Sequence, residues 1–232
     1  MTQRFWYALT ASCLLALAGC GLPAATAEPA GPQSASVTLL PTPVLDSETS
    51  IEEALVGRRS VRELEDIPLT AAELGQLLWA SQGITSQRGL RTAPSAGALY
   101  PLEVYVASEA GLYHYDPQGH RLLTISHEDF RLELYQAALR QEPVRDAPAI
   151  LILAAVYERT EQKYGAERGP RYVHLEAGHA AQNLLLEAVA LGLGAVPIGA
   201  FQDEQVQHVL GLPSDHEPLY LIPVGRPGNG GR

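Results

Sequence analysis

The chain is poor in cysteine. It has 232 residues and two cysteines, Cys13 and Cys20, both near its start. Once a leader ending at Ala18-Gly19 is removed, one remains, so no disulfide can form within one mature chain. There is no C-x-x-C and no H-E-x-x-H, which removes the commonest zinc signatures. Positive charge is also scarce. Lys and Arg number 16 against 26 Asp and Glu, a net charge of −10. Nucleic-acid binding needs clustered cations, so this balance argues against it. No apolar run reaches the roughly 20 residues of a membrane-spanning helix. No G-x-S-x-G elbow is present, because Ser95 sits in P-S-A-G. His174 and His179 are five apart on a helical stretch, so they face different directions and make a poor metal pair. What is present is a chain 46% hydrophobic, long enough for one globular domain with or without tails.

The first twenty residues, MTQRFWYALTASCLLALAGC, place one Arg before an apolar stretch and end on Leu17-Ala18-Gly19-Cys20. That layout is a secretory signal peptide over residues 1–19. Its last four residues resemble a bacterial lipobox, which predicts lipidation of Cys20 and an envelope lipoprotein anchored in the membrane only by its N-terminus. Residues 20–47 are rich in Pro, Ala, Thr and Ser and carry no period, so they read as a flexible tether. The folded domain is expected over residues 48–232.

Ser50-Ile51-Glu52-Glu53 and Thr70-Ala71-Ala72-Glu73 both fit capping boxes and predict helices to about Gly57 and Gly83. Strands are expected at 102–107, at 112–115 and 122–125 around the turn Asp116-Pro117-Gln118-Gly119, at 149–156, at 196–201 and at 219–224. Residues 128–140 read as helical. Val173–Leu191 reads as a buried helix, because its apolar residues run nearly all round. Asp203 is expected to cap a helix over 203–210. The sum is α+β, with helices flanking a mainly antiparallel central sheet.

Three stretches carry candidate chemistry. Gly57-Arg58-Arg59-Ser60-Val61-Arg62 groups three guanidinium groups with a hydroxyl. Such a set can grip phosphate through paired, charge-assisted hydrogen bonds. Composition alone favours the other reading, a solvated charge run pairing with Glu63, Glu65 and Asp66. Thr92–Pro101 (TAPSAGALYP) is small, uncharged and stiffened by two prolines. Gly192–Phe201 (GLGAVPIGAF) follows a helix and opens a strand, so it is not a dinucleotide fingerprint. Glu176 and Asn183 lie on the long helix, where buried polar groups would need partners.

RRSVR (58–62), APSAGALYPLEVYV (93–106), the segment 163–201 and LIPVGRP (221–227) follow one another in an order that resembles the nitroreductase-like FMN flavoprotein family, and within it the SagB-type thiazoline and oxazoline dehydrogenases. The resemblance implies a nitroreductase-like fold and a noncovalent FMN. It also implies a homodimer with the long helix at its interface. Arg58, Arg59, Ser60 and Arg62 would hold the phosphate and ribityl chain, with Arg226 a further phosphate candidate; of a C-terminal basic contact only Arg232 could serve. Pro94, Ser95, Ala96, Gly97 and Ala98 would approach the ring, often from the other subunit. Pro197, Ile198, Gly199 and Ala200 would cover its far side. Lys163 and Tyr164 match a pair that handles protons.

The expected function is FMN-dependent hydride transfer in ping-pong order on a small-molecule or peptide-derived substrate. The other class considered is a non-catalytic lipoprotein that uses the fold as a binding or assembly module. The signal lacks a twin arginine, so export would be unfolded and FMN would be acquired afterwards.

Overall fold

The computed structural model describes residues 36–228. The signal peptide, Cys20 and Arg232 lie outside the described residues. One sheet of eight strands organises the rest. Its centre is β6 (Ala149–Ala155), flanked by β3 (Leu102–Ser108) and β8 (Glu217–Pro227). Beyond β3 come β4 (Gly111–Asp116), β5 (Arg121–Ser126) and the edge strand β1 (Val37–Leu39). Beyond β8 lie β2 (Leu64–Glu65) and, on a separate stretch of β8, β7 (Gly194–Ala195). All these strand pairs are antiparallel.

The sequence of β6, AILILAA, explains its place. Every one of its residues is buried, so both faces must be covered. Leu151 and Leu153 pack with Leu77, Leu78 and Leu184, from α2 (Ala71–Gln82) and α5 (Glu158–Ala190). Ile150 and Ile152 pack on the other side with Leu134 and Val206, from α3 (Arg131–Ala137) and α6 (Asp203–Val209). Each fully buried Leu or Ile contributes about 1.5–3 kcal/mol of apolar transfer.

Both capping boxes form. Ser50 starts α1 (Ile51–Gly57) with Glu53 as its reciprocal partner, and Thr70 starts α2 with Glu73. The Asp116–Gly119 turn joins β4 and β5 as the sequence predicts.

Other expectations need correction. The 128–140 helix is shorter, because Leu139 and Arg140 adopt φ of 56° and 59° and stop it. A separate short helix α4 (Glu142–Asp146) follows. The residue before α6 is Gln202, which makes no side-chain cap bond, so Asp203 sits inside the first turn. There its charge favours the helix dipole rather than capping an amide. The strand expected at 196–201 is reduced to a lone bridge between Ile198 and Leu221, with the two-residue β7 lying just ahead of it, since Pro197 has no N–H to give. The buried helix begins earlier than Val173. Helix α5 runs from Glu158 and is broken at Gly165, whose φ of 78° and ψ of 160° no helix accommodates. Its second part buries Val173, Ala177, Ala180, Leu184 and Ala188 on one face, while His174, Leu175 and His179 stay exposed.

The largest departure lies at the N-terminal edge. Residues 36–47, expected as tether, lie against the domain. Leu40 is in the core, and its N–H donates to the His120 carbonyl at 3.1 Å. His120 Nε2 donates to the Pro41 carbonyl at 2.9 Å while Tyr115 Oη bonds Nδ1 at 2.9 Å. The Gln76 amide clasps both the N–H and the C=O of Val44, each at 2.9 Å. The packed domain therefore includes residues ahead of 48, at least from Leu40 to Val44. A segment without its own period still folds when distant side chains satisfy its backbone.

Candidate active site

Helix α1 ends at Gly57, and the Arg58 N–H closes it on the Ala54 carbonyl at 2.9 Å. The chain then runs extended beside β7. Ser60 forms a parallel bridge with Ala195, and the Val61 N–H donates to the Ala195 carbonyl at 3.0 Å. Ile198 in turn exchanges two backbone bonds with Leu221 of β8, at 2.8 and 3.0 Å. The arginine segment thus runs beside β7, from which the chain continues into the 197–200 stretch along β8. Gly199 and Ala200 are exposed there, Pro197 is half-buried and Ile198 is buried.

Arg59 Nη1 donates to the carbonyls of Val56 and Arg58, at 3.0 and 2.8 Å. Arg62 Nη1 reaches its neighbour's carbonyl at Ser60, at 3.5 Å. Among the described residues no carboxylate forms an ion pair with Arg58, Arg59 or Arg62. Asp66, a suspected partner, pairs with Arg131 instead, at 2.8 Å. The carboxylate pairing expected of a charge run is therefore absent among the described residues, and guanidinium groups without such partners offer donors that a phosphate could take. Arg226 differs. Its Nη1 lies 2.7 Å from Oε1 of Glu73, so its charge is already engaged. A cleft of about 380 Å³ opens beside this segment, lined by Gly57, Arg59, Val61, Val189 and Pro227.

The 93–101 loop lies elsewhere, packed on α5. Ala96–Ala98 makes one 3₁₀ turn, and φ is 63° at Gly97, 53° at Ala98 and 49° at Tyr100. Left-handed values at two non-glycine residues store strain. Ser95 Oγ accepts the Tyr100 N–H at 2.9 Å and holds the turn shut. A Cβ at Gly97 would stand 2.7 Å from Lys163 Nζ and 3.0 Å from Tyr164 Oη, so both side chains approach the loop closely at a residue whose left-handed φ favours glycine. The loop and the Lys163-Tyr164 pair are thus brought together. The pair sits just before the Gly165 break, which frees its end of the helix to point at the loop. Lys163 is exposed and is the only lysine of the chain. Among the described residues no hydrogen bond joins this loop to the arginine segment or to the 197–200 stretch.

Several residues around the loop escape sequence reasoning. Arg91 Nη1 donates to Gln82 Oε1 at 2.8 Å, and its guanidinium lies 4.6 Å over the Tyr100 ring. Arg159 donates to the Tyr100 carbonyl at 3.1 Å and pairs with Glu103. Burial pushes the Glu103 carboxyl up, but His114, 2.7 Å away, and Arg159 outweigh it and hold it at about 2. No period or motif links these residues; they converge from two helices, two strands and the loop. Glu176, flagged as needing a partner, is 2% exposed beneath the loop. Asn183 lines a groove between α5 and the 47–54 segment. Among the described residues no cluster of His, Cys, Asp and Glu could hold a metal ion. A cleft of about 550 Å³ beside β1 and β4 contains none of the candidate site residues.

The Nitroreductase family model matches residues 55–226. The chain belongs to the nitroreductase family of oxidoreductases. It is 48% identical over 185 residues to the nitroreductase-named protein MJ1384 of Methanocaldococcus jannaschii, a match spanning 77% of this chain and 92% of that one. It is similar to the crystal structure of a nitroreductase-named protein of Ralstonia eutropha JMP134, with a TM-score of 0.74 and 31% identity over 83% of this chain and 90% of that one. It is also 31% identical over 138 residues to the trifolitoxin-processing protein TfxB of Rhizobium leguminosarum bv. trifolii, which covers 55% of this chain and 37% of the relative. The fold is the nitroreductase α+β fold.

Proposed function

We propose that this chain is an FMN-dependent oxidoreductase of the SagB-type branch, acting as a homodimer on a peptide-derived or small-molecule substrate. One observation carries the reading. Arg58, Arg59 and Arg62, without a carboxylate partner among the described residues, belong to the segment that runs beside β7 just ahead of the 197–200 stretch, while the 94–98 loop with Lys163 and Tyr164 forms a second cluster that one chain does not join to the first. A second copy would bring the loop of one protomer over the 197–200 stretch of the other. Exposed Ile51, Leu55 and Val56 on α1 and Leu175 on α5 supply apolar surface for such a contact.

When bound, FMN supplies the capacity to accept a hydride and give it back. The residues supply the rest. Arg58, Arg59, Arg62 and the Ser60 hydroxyl would neutralise and orient the phosphate. Backbone amides of 199–200 would face the developing negative charge of the ring. Pro94, Ser95, Ala96, Gly97 and Ala98 would leave one face open and exclude water. The Tyr164 hydroxyl would exchange a proton with substrate carbon, with Lys163 beside it at the same side of the loop. Similarity to TfxB, a trifolitoxin-processing protein, favours a peptide-derived substrate over a free nitro compound. Two reactants would use the same opening in turn. The N-terminal sequence favours lipidation at Cys20 and an envelope location, where NAD(P)H is scarce and oxidative use of the site is favoured.

The test is the colour of the purified chain in mild detergent. A yellow protein that bleaches anaerobically with dithionite supports the reading; a chain that stays colourless after incubation with FMN refutes it.

A further inference from the structure

Four buried side-chain atoms among the described residues have no hydrogen-bond partner, and two of them, Gln82 Nε2 and Glu176 Oε1, belong to residues that act on each other beneath the 93–101 loop. Leaving such groups unmatched costs about 1–3 kcal/mol each, so the arrangement asks for a reason. The loop touches Glu176 through Ser95. The Ser95 oxygen takes the Tyr100 N–H, and the Ser95 hydroxyl is close enough to Glu176 to oppose the effect of burial on its carboxyl. Arg91 stands at the root of the same loop and bears on Glu176 by charge. The loop is therefore a lid. Its inner side rests on a buried carboxyl, its outer side meets Lys163 and Tyr164, and its backbone is held in strained left-handed geometry between them.

We propose that Glu176 is a positioning residue for this loop: its neutral carboxyl lets the loop close, and transfer of its proton to water drives the loop open. The lid's bearing on catalysis rests on the reading of 93–101 as the flavin loop; the coupling itself does not.

The physical argument is linkage. Burial pushes the Glu176 carboxyl up to about 7, against the opposing pulls of Ser95, Arg91 and Gln82. An open loop lets water reach the group and returns it toward its ordinary value of 4.5. The closed form then holds a proton that the open form has lost, so opening grows by about tenfold per pH unit between about pH 5 and 7 and levels off above. The other charged groups around it are Arg91, then Glu103 and Arg159 acting on Arg91, with Lys163 and Tyr164 across the loop. Glu103, held at about 2, stays charged throughout this window. On the outer face of α5, His174 is bonded to Tyr157 at 2.7 Å and His179 is exposed.

The test is amide hydrogen exchange of the 93–101 segment in the full chain from pH 5 to 8, each rate divided by that of the unstructured peptide. The parent chain should show protection falling about tenfold per pH unit up to pH 7, with amides of β3 and β6 unchanged. Glu176→Gln should flatten the slope. Arg91→Gln keeps Glu176 but removes its cation, and should carry the plateau to higher pH; it serves if Glu176→Gln does not fold. A flat parent profile, a slope that survives Glu176→Gln, or a plateau unmoved in Arg91→Gln overturns the proposal. Flavin binding is measured separately on the parent chain. Its failure would remove the functional reading and leave the loop result standing.

Discussion

The arginine segment and the 93–101 loop carry the two halves of the candidate site, and they are built by opposite means. Residues 58–62 are a plain extended run at a sheet edge, and their chemistry lies in side chains that reach outward with no carboxylate to claim them. The loop has almost no chemistry of its own. Its small side chains matter for what they leave out, and its shape is held by Ser95, by Arg91 at its root and by Arg159 on its flank. A site can thus hold its cofactor with surface charge and set its reactive geometry with buried, strained parts. The first half should be tunable without cost to folding; the second should not.

That contrast can be broken most directly at the arginines. The Arg58→Ala, Arg59→Ala double variant should weaken FMN binding by about a thousandfold, near 4 kcal/mol for two charge-assisted contacts. Its urea midpoint should stay close to the parent's. Fluorescence titration and melts read the two quantities, and a matching loss of stability would erase the distinction between the halves.

The loop side should answer in stability. Because the folded Glu176 holds a proton that the unfolded chain has released, its contribution is complete below about pH 4.5 and declines as pH rises through about 7. The decline amounts to about 3 kcal/mol. Urea unfolding at pH 5 and pH 8 should show this loss in the parent and little of it in Glu176→Gln.

Gly97→Ala adds a Cβ at a left-handed residue, facing Lys163 Nζ. It should cost about 1–2 kcal/mol and lower kcat more than it raises KM, because it displaces Lys163 and Tyr164 rather than the phosphate grip. The smallest effect belongs to Arg226→Ala. Its side chain already serves Glu73, so FMN affinity should change by less than about threefold and stability by about 1 kcal/mol or less. A large affinity loss there would return Arg226 to the phosphate site.

How much was legible follows the same divide. Ser50 with Glu53, Thr70 with Glu73, the Asp116–Gly119 turn and the unbroken apolar run of β6 are local signals, and each is realised. The arginine cluster is local too. What escaped is long-range. Gln76 holds Val44 across 32 positions and His120 holds Pro41 across 79, so the docking of residues 36–47 has no trace in their own composition. Gln82, Arg91 and Glu176 come from two helices and a loop, and only the folded chain brings them together. Gly165 looks like any glycine in a helical stretch until its φ is known.

Lys163 has one more consequence. Because no other side chain in the molecule ends in a primary amine, any acylating or reductively alkylating reagent has a single lateral target, at the lip of Gly97. A dye or surface linker attached by ordinary amine coupling would land either there or at the chain's beginning. Such a preparation would carry its own blockade, while the untreated protein offers a natural address for a reporter beside the reacting groups.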